Sequence, residues 1–277
     1  MILLTGASGT VGSEAAKALS ARGARFRAGY RTRPPNVPAG GEAVQLDYEK
    51  PETLAPALRG VETLFLLSNT VAPEVDVVRA AKEAGVKRVV KLSVLNAGQP
   101  GFVFGAWHRV AEQAVEQSGL AWTFLRPNGF MQNVINFMGQ TIKAQSALYS
   151  SAADGKVSAI DARDIGAVAA RVLAEAGHEG KAYDLTGPAA LGYAEIAATL
   201  SRVLGREITY VPITDEEYKR GAVGAGTPEA YADALVDLNR NYRDGTFARL
   251  SPQARDLLGH EPRAFEQFAK DHADAWR

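Results

Sequence analysis

Cysteine is absent from this chain, which removes disulfides, thiol nucleophiles, zinc–thiolate centres and iron–sulfur clusters from consideration. Net charge is absent as well, since 31 Lys and Arg face 31 Asp and Glu. A dedicated nucleic-acid binder needs surplus positive charge to displace counterions, so no nucleic-acid partner is expected. No apolar run approaches the roughly 20 residues that span a bilayer. The opening Met1-Ile2-Leu3-Leu4-Thr5-Gly6 has no basic region ahead of a long apolar stretch, so it does not read as a signal peptide. No membrane partner and a cytoplasmic location are therefore expected. Of the four histidines, His178, His260 and His272 lack partners at metal-ligand spacing and read as surface residues; no metal is expected. Internal repeats and low-complexity tracts are also missing.

What the 277 residues do contain is alternation. Short apolar, β-branched runs predict strands over 2–5, 25–31, 43–47, 63–68, 88–93 and 121–126, and helical patterns over 12–21, 51–58, 74–84 and 107–117 lie between them. Strand–helix alternation implies βαβ units and a parallel sheet. Runs such as 63–67 are apolar on both faces, as a sheet covered on both sides requires. Beyond 126 the pattern loosens: helices are predicted over 164–175, 193–204, near 228–239 and 265–275, and strands over 183–186 and 208–211. The glycine-rich 221–226 reads as a mobile loop or linker. The expectation is one α/β domain over 1–277, a Rossmann-type doubly wound parallel sheet with a small C-terminal lobe, whose substrate-facing elements come mainly from 127–277.

Thr5-Gly6-Ala7-Ser8-Gly9-Thr10-Val11-Gly12 follows the first strand and opens a helix whose Val11, Ala15, Ala18 and Leu19 share one apolar face. Gly6 suits a tight turn, Gly9 lets the backbone approach a pyrophosphate, and Gly12 lets helix and strand pack closely. The helix start then offers free N–H groups and a partial positive charge to phosphates. In this strand–turn–helix context the motif predicts dinucleotide binding, with Ser8, Thr10 and Val11 in the cradle.

The end of the second strand bears on which dinucleotide. NAD-selective folds carry an acidic residue about 20 residues on, for the ribose 2′-hydroxyl. Here Arg31 stands 19 residues after Gly12, within Tyr30-Arg31-Thr32-Arg33, and no Asp or Glu occurs between Glu14 and Glu42. A guanidinium binds a 2′-phosphate bidentately where a carboxylate repels it. NADPH is favoured over NADH; the alternative leaves Arg31 and Arg33 as solvated loop charges. Asp47 either meets the adenine amino group or caps the helix after Pro51. Ser68 and Asn69 close the fourth strand, at the crevice where ligands of open sheets lie.

With these pieces in place the sequence resembles the atypical short-chain dehydrogenase/reductase superfamily, and within it the NmrA-like group of quinone and triphenylmethane reductases. The resemblance rests on the 5–12 motif, on Leu46-Asp47-Tyr48, on 84–93, on 123–133 and on 160–165. It implies that Pro127, Asn128, Gly129 and Phe130 line the nicotinamide end, with Met131 facing the substrate; Phe130 and Met131 read equally as ordinary core. Typical short-chain reductases use Tyr-x-x-x-Lys, yet none of the nine tyrosines here has a Lys four residues later. The equivalent place reads His108-Arg109-Val110-Ala111-Glu112, and the usual Ser/Thr partner would lie shortly after Ser93. Ser93 and His108 are the catalytic candidates. A proton comes from His108, whose imidazole titrates near neutrality, or from water or an acidic substrate hydroxyl, or no reaction occurs.

The segment 98–108 carries Phe102, Phe104 and Trp107 among glycines. It reads as a lid over a flat aromatic substrate, or as aromatics plugging the core beneath a loop. The leading functional expectation is an NADPH-dependent reductase of a quinone or polycyclic aromatic ketone. The alternatives are a non-catalytic NAD(P)-binding redox sensor and an isomerase or epimerase that uses bound cofactor. A monomer or a homodimer is equally compatible with the sequence.

Overall fold

A computed structural model of the chain describes residues 1–68 and 71–277. In chain order it runs β1 (Ile2–Leu4), α1 (Thr10–Ala21), β2 (Phe26–Tyr30), β3 (Gly41–Gln45), α2 (Leu54–Leu58), β4 (Thr63–Leu66), α3 (Glu74–Glu83), β5 (Arg88–Leu92), α4 (Val103–Ser118) and β6 (Ala121–Pro127). The second half adds α5 (Asn133–Gln145), β7 (Ala147–Ser150), β8 (Lys156–Val157), α6 (Ala162–Ala174), β9 (Lys181–Leu185), β10 (Leu191–Gly192), α7 (Tyr193–Leu204) and β11 (Thr209–Pro212). The chain closes with α8 (Asp215–Gly224), α9 (Glu229–Arg243), α10 (Gln253–Leu258) and α11 (Phe265–Asp271).

Seven strands form one sheet in the order β3-β2-β1-β4-β5-β6-β9, every neighbouring pair parallel. The aliphatic runs read from sequence are buried on both faces, as a parallel sheet between helices demands. One face packs on α1 and α6 through Leu4, Phe65, Val90 and Leu125. The other packs on α2 and α3 through Leu3, Leu64, Val89 and Phe124. The strand order reverses between β1 and β4, and that switch point defines a crevice above the C-terminal strand ends.

Helices α1 and α6 touch at Gly166, where a Cβ would stand 2.6 Å from Glu14 Cβ and 2.8 Å from the Ala15 nitrogen. Helix α6 begins at Asp161, whose carboxylate accepts the Arg163 N–H at 2.9 Å and caps the first turn. A separate apolar cluster, with Ile142, Leu148, Leu200, Phe268 and Trp276 fully buried, holds the C-terminal lobe. Two short two-stranded sheets, β7 with β11 and β8 with β10, complete that lobe.

Three expectations need correction. Residues 221–224 are not a linker but the last turn of α8. Thr214 and Glu217 form a capping box at its start, and packing against α9 overrides the low helix propensity of its glycines. His178 is buried, with Nδ1 2.8 Å from the Tyr183 hydroxyl. His272 is half-buried against the Phe268 ring, leaving His260 as the exposed one of the three. Among the described residues no helix is long and apolar enough to cross a membrane, and no His, Asp and Glu cluster could hold a metal ion.

One ion pair lies inside the layer beneath the crevice. Lys91 of β5 and Glu74, the first residue of α3, are both fully buried with Nζ and Oε2 2.5 Å apart. Ser68 donates its hydroxyl to the other carboxylate oxygen at 3.0 Å. Burial pushes the Glu74 carboxyl above its ordinary range, opposed by Lys91 and Ser68. Removing one member of such a pair strands the other in apolar surroundings, whereas replacing both is far milder. Lys91→Met is expected to cost about 3 kcal/mol of stability, and Lys91→Met with Glu74→Gln to recover most of it, read by urea denaturation.

Candidate active site

The elbow after β1 is built around contacts that only glycine permits. Gly6 has φ +58°, and a Cβ on Gly12 would fall 2.1 Å from the Gly6 carbonyl oxygen. The Gly9 N–H donates to that carbonyl at 2.9 Å, and the Ser13 N–H donates to the Gly9 carbonyl at 3.0 Å. No side chain caps α1. The N–H groups of Thr10, Val11 and Gly12 thus lack helical acceptors and face the crevice mouth. Ser8, Gly9 and Thr10 are exposed, while the Val11 side chain is buried and could serve a ligand only through its backbone. Behind the elbow, Thr5 accepts the Leu67 N–H at 2.8 Å and donates to the Leu67 carbonyl at 2.9 Å, fastening the ends of β1 and β4 together. This donor set fits the pyrophosphate of a dinucleotide.

Arg31 and Arg33 are exposed at the end of β2, and among the described residues neither makes an ion pair or hydrogen bond. A cavity of about 370 Å³ opens between α1 and the segment 35–38 that follows them in the chain, lined in part by Ser8, Ser13, Lys17 and Asn36. Its place at the elbow, with Lys17 and the hydroxyls of Ser8 and Ser13 on its wall, suits an anionic group. Ser13, Lys17 and Asn36 escaped the sequence reading because only folding brings 36 against α1. Asp47 is 6 % exposed and accepts the Glu49 N–H at 3.1 Å, so it shapes its own turn rather than capping the later helix. Ser68 borders the crevice, whereas Asn69 lies outside the described residues.

At the ends of β5 and β6 the charges are arranged unlike a Tyr-x-x-x-Lys site. Glu112, which takes the lysine's place on α4, is fully buried. It accepts Arg126 at 2.8 and 2.7 Å, Ser93 Oγ at 2.7 Å and Arg109 at 3.0 Å. Burial alone would raise its carboxyl, but the Arg126, Ser93 and Arg109 hydrogen bonds outweigh it and hold the group below the usual range. The Ser93 proton is therefore engaged, which opposes Ser93 as a donor to substrate. His108 fares no better. Burial, helped by the Lys91 charge, lowers its pKa to about 3, and its Nδ1 is buried without a partner. A neutral imidazole under a cation is the wrong species for a general acid near neutrality.

The segment after β6 is fixed from behind. Asn128 is 1 % exposed and donates to Ser158 Oγ at 2.7 Å and to the Phe247 carbonyl at 2.8 Å, while its Oδ1 accepts the Gly129 N–H at 2.8 Å. Its amide is fully used, and the neighbouring backbone is engaged too, the Pro127 carbonyl accepting the Leu95 N–H at 2.8 Å and the Gly129 carbonyl the Ile160 N–H at 2.9 Å. Phe130 bridges to Ile160 and packs against the α1–α6 side of the core. Met131 is buried in the lobe core and does not line a substrate cleft.

Nor does 98–108 form a lid. Helix α4 starts at Val103, and Phe102 is 2 % exposed against Phe247 with centroids 5.0 Å apart. Phe104 and Trp107 stand on that helix and meet Tyr231 of α9 at 5.3 and 6.4 Å. The aromatic contacts continue from Phe104 through Phe102 and Phe247 to Tyr242, which the sequence reading missed because nothing local pairs α4 with α9.

A glycine elbow at the switch point of a parallel sheet, with free guanidiniums at the second strand, defines a dinucleotide-binding protein of Rossmann type. The chain belongs to the NmrA-like family, whose pattern matches residues 1–269. It is 39 % identical over 284 residues to the NAD(P)H azoreductase of Xenophilus azovorans, covering 100 % of this chain and 99 % of that one. An NADPH-dependent quinone oxidoreductase of Escherichia coli, solved in complex with NADPH, superposes with TM-score 0.86 at 28 % identity, covering 99 % and 100 % of the chains. The triphenylmethane reductase of a Citrobacter species, complexed with NADP(H), gives TM-score 0.84 at 25 % identity over 98 % and 99 %.

Arg31→Asp is expected to weaken NADPH roughly 30-fold, about 2 kcal/mol, and NADH far less, by calorimetric titration; equal losses would place the 2′-phosphate elsewhere. For His108, the unfolded chain takes up a proton near pH 6.5 and the folded chain only near pH 3, so stability falls as pH drops through that window. His108→Gln is expected to flatten the decline of Tm between pH 6.5 and 4.

Proposed function

We infer that this chain is an NAD(P)H-dependent oxidoreductase, and propose that it uses NADPH to reduce a planar aromatic acceptor, a quinone, a polycyclic aromatic ketone or an azo compound. One observation carries the reading. The elbow of Gly6, Gly9 and Gly12 leaves helix N–H groups unbonded at the same crevice where Arg31 and Arg33 stand unpaired. Anionic phosphates answer both needs. The relatives point the same way: an NAD(P)H azoreductase, an NADPH-dependent quinone oxidoreductase and a triphenylmethane reductase complexed with NADP(H).

When bound, the reduced nicotinamide supplies a hydride. The chain's own residues do the rest by placement. The α1 N–H groups and Arg31 hold the two phosphate ends of the dinucleotide, and the Asn128 clamp fixes the Gly129 backbone beside the reacting end. Trp107 and Tyr231, 39 % and 36 % exposed, offer flat faces on which an aromatic acceptor stacks. Glu112 is neutralised by two arginines and takes no part in proton transfer.

Purified protein is expected to consume NADPH, followed by loss of absorbance at 340 nm, with at least one acceptor from a panel of naphthoquinones and azo dyes. NADPH binding without turnover on any acceptor would instead support the sensor reading.

A further inference from the structure

Tyr242, near the end of α9, crosses from the C-terminal lobe to the nicotinamide-end segment. A Cβ built on Gly129 would stand 3.1 Å from its hydroxyl oxygen and 3.4 Å from Val157 Cγ2. The phenol is 5 % exposed and its ring meets Phe247 edge-on, with centroids 5.5 Å apart. Among the described residues nothing hydrogen-bonds its hydroxyl. By contrast Tyr48 donates to the Leu67 carbonyl at 3.3 Å and Tyr210 donates to the Ala153 carbonyl at 3.1 Å.

The ring is buried, yet the hydroxyl keeps contact with solvent and has no protein partner, so its proton is free for a ligand. A side chain at position 129 would crowd that hydroxyl. We propose that Tyr242 is a catalytic hydrogen-bond donor, its hydroxyl grasping the carbonyl oxygen of a quinone held in front of Gly129. The assignment rests on the reductase reading above. Tyr242 thus takes the place that Ser93 and His108 cannot fill, the one engaged by Glu112 and the other held neutral beneath Lys91.

The surroundings fit this role. Burial and the neighbouring Tyr218 raise the Tyr242 pKa well above 10, so the phenol keeps its proton at every working pH. As negative charge gathers on the quinone oxygen, a fixed neutral donor in a low-dielectric cleft holds it more tightly than it held the uncharged carbonyl. The released oxyanion takes its proton from water, as a hydroquinone with its own acidic hydroxyl allows.

The test compares wild type with Tyr242→Phe in three measurements on the full chain. Turnover of 2-methyl-1,4-naphthoquinone at saturating NADPH is expected to fall about 100-fold, the usual cost of one donor at a developing oxyanion. The affinity of that quinone, read without cofactor by quenching of tryptophan fluorescence, is expected to weaken about 10-fold. The Tm is expected to hold or rise, and NADPH affinity by calorimetry to stay within twofold. Gly129→Ala, which crowds the same hydroxyl, is expected to reproduce the loss of quinone affinity. Equal quinone affinity in wild type and Tyr242→Phe, or binding to neither, overturns the assignment, as does a Tm lowered by the loss of the hydroxyl. A wild-type protein that binds quinone yet reduces no acceptor defeats the reductase reading instead, while the affinity comparison still decides the role of Tyr242.

Discussion

The approach of Gly12 to the Gly6 carbonyl is the constraint on which the rest depends. With no side chain at either position, α1 starts directly against the end of β1 and brings its unbonded N–H groups to the centre of the sheet. The same proximity sets α1 close enough for α6 to pack on it through Gly166. It also sets the end of β1 beside that of β4, where Thr5 joins them. A methyl group on Gly12 would open the turn, tilt the helix and displace the phosphate site together.

Charge is handled differently on the two sides of the crevice. On the cofactor side Arg31 and Arg33 stay solvated and unpaired, so a phosphate meets them without first breaking an ion pair. At the ends of β5 and β6 the buried charges are neutralised internally: Lys91 by Glu74, and Glu112 by Arg126 and Arg109. Buried pairs of this kind add little net stability, but each fixes the elements it joins, here α3 to β5 and α4 to β6. The result is a floor of low polarity in which a single hydrogen bond from Tyr242 acts with little screening.

Much of this was legible in the chain, and the reason is local. The 5–12 motif, the apolar runs of the first six strands and the Arg31–Arg33 pair carry their meaning within a few residues, and the parallel order follows from strand–helix alternation. Helix 193–204 was read to the residue, because Gly192 and Gly205 mark its ends. What failed was whatever depends on distant partners. Phe102 looked like part of a lid because its partner Phe247 is 145 positions away. His108 looked titratable because the burial and the Lys91 charge that suppress it come from other elements. Met131 looked substrate-facing until the lobe core closed over it. The glycines of α8 masked a helix that owes its existence to α9.

That helical pair has its own fastening. Asp215, at the start of α8, is gripped by Arg240 and Arg243 from the last turns of α9, at distances of 2.9 to 3.0 Å, which pulls its carboxyl far below the ordinary range. The clasp makes the two helices a hairpin that stays assembled by internal bonds, carrying Tyr218, Tyr231 and Tyr242 as one rigid panel. Exchanging residues on the open face of that panel reshapes the acceptor chamber while the phosphate grip, built from the opposite end of the chain, is left as it was. Diversification of the molecules reduced can thus proceed at one address of the sequence and conservation of the reductant at another.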